Sequence, residues 1–128
     1  MSNDFDWVTA RHNCSIVSVF KSLEVAAEEN VRTRNSLKSQ NDHFGFTFQP
    51  QQSESFFVQR QTSNSILYIV FNLRDSFISV CNKSGKELFR AIPTLNNDRE
   101  CRLKVNGEEL EIWQVLRKAL ESLFFEID

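Results

Sequence analysis

Residues 44–50 read FGFTFQP, with Phe44, Phe46 and Phe48 alternating with Gly45, Thr47 and Gln49. A period of two puts the three rings on one side of an extended chain, so a half-buried strand ending at Pro50 is predicted here. Upstream the period is different. From about Asn13 to Lys38, Ile16, Phe20, Leu23, Ala27 and Val31 recur at helical spacing, with Val19, Ala26 and Leu37 on the flank. The polar run SQNDH, residues 39–43, separates the two patterns. One long helix therefore precedes the first strand, and the chain reads as α+β.

Downstream of Pro50 the extended pattern repeats. FFVQRQ (56–61) is a second strand, and ILYIVFNLR (66–74), apolar on both faces, is a third and central one. SFISVCN (76–82) follows a tight corner at Arg74-Asp75-Ser76, and KSG then turns the chain into KELFRAI (86–92). Gly85 supplies the positive φ that such a hairpin needs. After NNDRE, Cys101, Leu103 and Val105 alternate with Arg102, Lys104 and Asn106. Six strands with short connections predict a mostly antiparallel meander.

The end of the chain admits two readings. Asn106-Gly107 between alternating runs signals a hairpin. The rival takes Asn106 as a helix N-cap, with Glu109 completing a capping box and Val105 and Leu110 forming a hydrophobic staple. Glu108, Glu109 and Glu111 suit the positive end of a helix dipole. Leu110, Trp113, Leu116, Leu120, Leu123, Phe124 and Ile127 then share one face. The helix satisfies more of these signals and is adopted, which makes Trp113 and Leu120 expected core residues. The expected architecture is a single α+β domain over residues 1–128. A long N-terminal helix, a six-stranded meander and a long C-terminal helix form a two-layer sandwich with both helices on one face. The alternative is a curled sheet gripping the C-terminal helix around a Phe-lined cavity.

The composition, 41% hydrophobic and 25% charged over 128 residues, is that of a folded globule. Twelve Phe against one Tyr add apolar area without polar handles, so most are expected in a core. A net charge of −2 gives no global attraction for nucleic acid or an anionic membrane. The charge is uneven, since residues 44–106 carry eight basic and five acidic groups and residues 107–128 carry two and six. No stretch approaches the ~18 apolar residues of a membrane helix. Cys14, Cys81 and Cys101 are widely spaced, odd in number and form no C-x-x-C. The start, MSNDFDWVTARHN, has neither the basic region nor the apolar run of a signal peptide. A cytoplasmic location with free thiols is expected, Cys101 being a buried structural thiol.

Chemistry-bearing patterns are sparse. His12 lies two residues before Cys14, but on a helix the two project about 200° apart and do not meet. His12 and His43 have no metal-ligand spacing, and the three isolated glycines make no phosphate-binding loop. Asp75, Asp98 and Glu100 fall in turns, where carboxylates shape the backbone. Arg60, Arg90, Arg102 and Lys104 with Tyr68 sketch a basic sheet face, without the aromatic cluster of an RNA-binding sheet. No catalysis, cofactor, metal, nucleic acid or membrane partner is therefore expected. The expected function is protein–protein binding or self-association, and the alternative is carriage of a small apolar ligand. Three residues of the first helix are candidate binding positions. Arg34 shares the apolar stripe and Asn30 lies about 40° off it, so Arg34 either snorkels at the rim or holds a carboxylate of a ligand or of the acidic C-terminal helix. Val25 lies on the far side, where a homodimer contact is expected.

Overall fold

A computed structural model describes residues 4–38 and 45–126. His43, Phe44 and Ile127, used above, lie outside the described residues. The expected first helix is α2 (Ile16–Ser36), and a short helix not expected from the sequence, α1 (Trp7–Asn13), precedes it. Each has its own N-cap. The Asp6 carboxylate accepts from the Thr9 backbone N–H at 3.1 Å and from the Thr9 hydroxyl at 2.7 Å. Ser15 restarts the chain, its hydroxyl accepting from the Ser18 N–H at 3.2 Å. α2 buries Val19, Phe20, Leu23, Ala27 and Val31.

The sheet is antiparallel throughout, its strands following in chain order: β1 (Gly45–Gln51), β2 (Ser55–Gln61), β3 (Ile66–Leu73), β4 (Ile78–Asn82), β5 (Glu87–Leu95), β6 (Cys101–Val105) and β7 (Glu108–Leu110). The register aligns Phe56, Phe71, Val80 and Phe89 in one row across β2–β5. All four are buried beneath α2 and the C-terminal helix α3 (Ile112–Phe125), in one continuous core. Phe56 stacks on Phe71 with centroids 4.6 Å apart, and Phe20 and Phe48 close on Phe56 at 5.3 and 5.4 Å. Both long helices cover this face, giving the expected two layers, while Gln59, Tyr68, Asn72, Arg90 and Lys104 alternate onto the other. A bulge at Leu88 shifts the β4–β5 register, setting Glu87 opposite Cys81 while Phe89 stays opposite Val80.

Seven strands replace the expected six, and the difference lies at Asn106-Gly107. Both residues have positive φ, 52° and 84°, the signature of a type I′ hairpin. β7 pairs with β6 in register Leu103↔Leu110, so Glu108 and Glu109 are strand residues and not a first helical turn. α3 starts later, after Glu111, whose N–H donates to the Gln114 side chain at 2.8 Å. Its buried face is Val115, Leu116, Ala119, Leu120, Leu123 and Phe124. Leu120 is in the core as expected, whereas Trp113 is 57% exposed. Trp113 lies in the first turn of α3, where it borders a groove towards α2.

The cysteine expectation is also overturned. Cys14 and Cys101 form a disulfide between residues 87 apart in sequence, and Cys81 is the free thiol. The break between α1 and α2 lies over the first residue of β6, which brings the two sulfurs together. Cys14 is fully buried, while Cys101, expected to be a buried thiol, is at an exposed position.

Two polar devices finish the layer. The Asn35 side-chain amide donates to the Phe46 carbonyl at 2.9 Å and accepts from the Phe46 N–H at 3.3 Å, joining α2 to the outer edge of β1. At the C-terminal end of α3, Arg34 donates to the Phe124 carbonyl at 3.0 Å and Arg60 to the Glu126 carbonyl at 2.6 Å. Cationic donors at a helix C-terminus satisfy carbonyls that have no intrahelical partner and suit the dipole.

Candidate functional site

The two helices of the layer leave a groove between them. Its walls are Asn30 and Arg34 of α2, Leu37 at its C-cap, and Trp113, Leu120 and Phe125 of α3, around about 390 Å³ of open space. Past Asn30, Trp113 and Leu116, which border both hollows, it continues into a second hollow of about 360 Å³ beside Ala26 and Ile112. From Ala26 to Leu37 the α2 wall rises about 16 Å, three turns of helix.

The groove is apolar at its rim. Trp113, Phe125 and Leu37 are 57%, 65% and 69% exposed, a cluster that buries little area within the fold. Arg34 sits at one end with its guanidinium 4.8 Å from the Phe46 ring and 5.1 Å from that of Phe125. It reaches α3 through the Phe124 carbonyl. The α3 rim carries Arg117 and Glu121, paired at 3.2 Å.

The structure thus brings Arg34 and Asn30 together in one groove. Val25 is not part of it. It is 60% exposed on the opposite flank of α2, beside shallow hollows bordered by Lys21, Glu24, Glu28 and Glu29. Trp113, the prominent side chain of the groove, was assigned to the core by its spacing from Leu116 and Leu120. Glu111 and Gln114, three apart, carry the signal for the later helix start.

A second cleft opens on the other side of α3, against β3–β5, with about 830 Å³ of open space. Its walls are Leu67 and Ile69 of β3, Leu88 and Phe89 of β5, and Ala119 and Leu123 of α3. Arg60, Lys83 and Lys118 border it.

The Cys14 sulfur, beside His12 in sequence, is bonded to Cys101 and is not a free nucleophile. Among the described residues no group of His, Cys, Asp or Glu side chains is placed to hold a metal ion, and no helix is long and apolar enough to cross a membrane. Among the described residues two carboxylates have lowered pKa values. Asp6 is lowered by its hydrogen bonds from the Thr9 side chain and backbone. Glu87 is lowered by the Ser79 hydroxyl, which donates at 2.6 Å, and by Arg90 at 2.7 Å. Both arrangements are structural in character, a helix cap and a network on the open sheet face. Comparison with protein-family models, curated proteins and solved structures finds no match to this chain.

Proposed function

We propose that the protein acts by binding and not by catalysis, and that its partner in the α2–α3 groove is a second copy of itself. The observation that carries this reading is the exposed apolar rim of Trp113, Phe125 and Leu37 around a groove three helical turns long. Rim and groove lie on the same face, so a two-fold axis across it can seat the exposed rim of each copy against the groove of the other. The charges also suit such an axis, since Arg117 and Glu121 on the α3 rim can exchange partners between copies. The Val25 flank suits it less, because Glu24, Glu28 and Glu29 of two copies would face one another there. The Cys14–Cys101 bond supports folding in an oxidising compartment, against the cytoplasmic location expected from the cysteine spacing.

Sedimentation equilibrium tests this reading. A stable two-fold interface buries about 1,200–2,000 Å², and the expected result is a mass near twice 14.9 kDa at high micromolar concentration. Trp113→Glu should return the protein to monomer and Val25→Glu should not. A monomeric mass at every concentration up to near-millimolar overturns self-association, as does a dimer indifferent to Trp113→Glu.

A further inference from the structure

We propose that the cleft between α3 and β3–β5 binds a single-chain anionic amphiphile of the long-chain carboxylate class. This goes beyond the self-association reading and rests on the opposite flank of α3. The cleft combines an apolar lining with a local excess of cations. Ile69, Phe89, Ala119 and Leu123 form the floor, and Leu88, 42% exposed, stands at the rim. Two cationic side chains, Lys83 and Lys118, border it beside the engaged Arg60, and Glu126 is the one carboxylate among the described residues of its lining, in a chain whose net charge is −2. About 830 Å³ falls in the range of sites for small organic ligands.

The charged side chains decide the ligand class. The cleft lies where the ladders part, since β3 pairs with β4 only from Ile69 onward and β5 with β6 only from Ile92 onward, and the edge carbonyl of Ile66 is already taken by Lys83. The cleft offers side-chain contacts to an aliphatic chain and point charges to a head group. Lys83 donates one of its three ammonium hydrogens to the Ile66 carbonyl at 2.6 Å, which holds the side chain at the mouth with two donors remaining. The Lys118 ammonium lies 5.7 Å from the Phe89 ring centroid, over the floor. A carboxylate at the mouth meets these two charges while its chain covers Phe89 and Leu123. A neutral chain of the same length leaves them unmatched.

The probe is oleate, titrated below its micelle concentration into the oxidised full chain by calorimetry, with oleyl alcohol as the neutral comparison. Expected are one saturable site per chain, weaker binding of the alcohol, and roughly tenfold weaker oleate binding in the double variant Lys83→Glu/Lys118→Glu. Leu88→Glu, at the exposed rim, should weaken oleate similarly, while Trp113→Glu should leave it unchanged. Circular dichroism establishes that each variant is folded. Absence of a saturable site, equal affinity for oleate and oleyl alcohol, or an unchanged affinity in the double lysine variant overturns the proposal. So does binding to anionic phospholipid vesicles by a protein that ignores monomeric oleate.

Discussion

Reduction of the Cys14–Cys101 bond should destabilise the protein strongly. The two residues are 87 apart in sequence, so the bond closes a loop over most of the chain. The loop-closure entropy it removes from the unfolded state is about 15 cal/mol/K, or about 4.6 kcal/mol at 25 °C. That is a large share of the ~5–15 kcal/mol by which domains are stable. An unfolding entropy of ~2.1 cal/mol/K per residue gives ~0.27 kcal/mol/K for a chain of this length, so Tm should fall by about 17 °C. The assay is thermal unfolding by circular dichroism of oxidised protein, reduced protein and the double variant Cys14→Ala/Cys101→Ser. Alanine is chosen at position 14 because that side chain is fully buried and a hydroxyl there would need a partner. The reduced protein and the variant should agree, and thiol titration of the denatured, unreduced protein should find one thiol, Cys81. Three titratable thiols, or a Tm indifferent to reductant, would refute the reasoning.

Three further outcomes follow from the packing. Trp113→Ala should cost less than about 1 kcal/mol in urea unfolding, because the side chain is 57% exposed; a loss of about 3–5 kcal/mol would return it to the core. Phe56→Ala should cost about 3–5 kcal/mol, since its ring is fully buried against Phe20, Phe48 and Phe71, and an unchanged urea midpoint would show that this stack is not the core. Folding lowers the Glu87 pKa below its ordinary 4.5, so its contribution is present above that value and is lost as the pH falls through the lowered folded value. Glu87→Gln should therefore flatten the acid limb of the stability curve below pH 4.5, and an acid limb identical to wild type would count against the Ser79 and Arg90 contacts.

Periodicity made the layers legible, because burial on one face imposes its repeat on the chain. The α2 stripe from Val19 to Val31 was readable from spacing alone, whereas β3 is apolar on both faces and the register shows that Phe71 points inward with Phe56 and Phe89. The errors came where two local signals competed. At Asn106-Gly107 a hairpin and a helix cap are both consistent with the residues, and the ladder to β6 decides for the hairpin by satisfying backbone groups that a cap would leave to solvent. Trp113 keeps helical spacing with Leu116 and Leu120, but in the first turn of α3 it borders the groove and is exposed. The Cys14–Cys101 contact was not legible, since it depends on where the α1–α2 break comes to rest over β6. Arg34 and Asn30 stood out as polar residues near an apolar stripe, but the groove they share exists only because α3 lies alongside α2.

Asn35 acts as a terminator for the sheet. An exposed strand edge is a template on which another chain can continue the ladder. On β1 the outward-facing donor and acceptor of Phe46 are already engaged by the Asn35 amide. Pro50, in phase with Phe46 along the strand, has no N–H to offer. An incoming strand would find Phe48 alone between two blocked positions. The opposite border, β7, is three residues long and gives little length for a foreign strand to hold. Open-ended, fibre-like growth through the strands is thereby discouraged at both margins. A chain with this many exposed aromatic and aliphatic side chains is left to meet its partners through the helical surface, where contacts can close on themselves and stop.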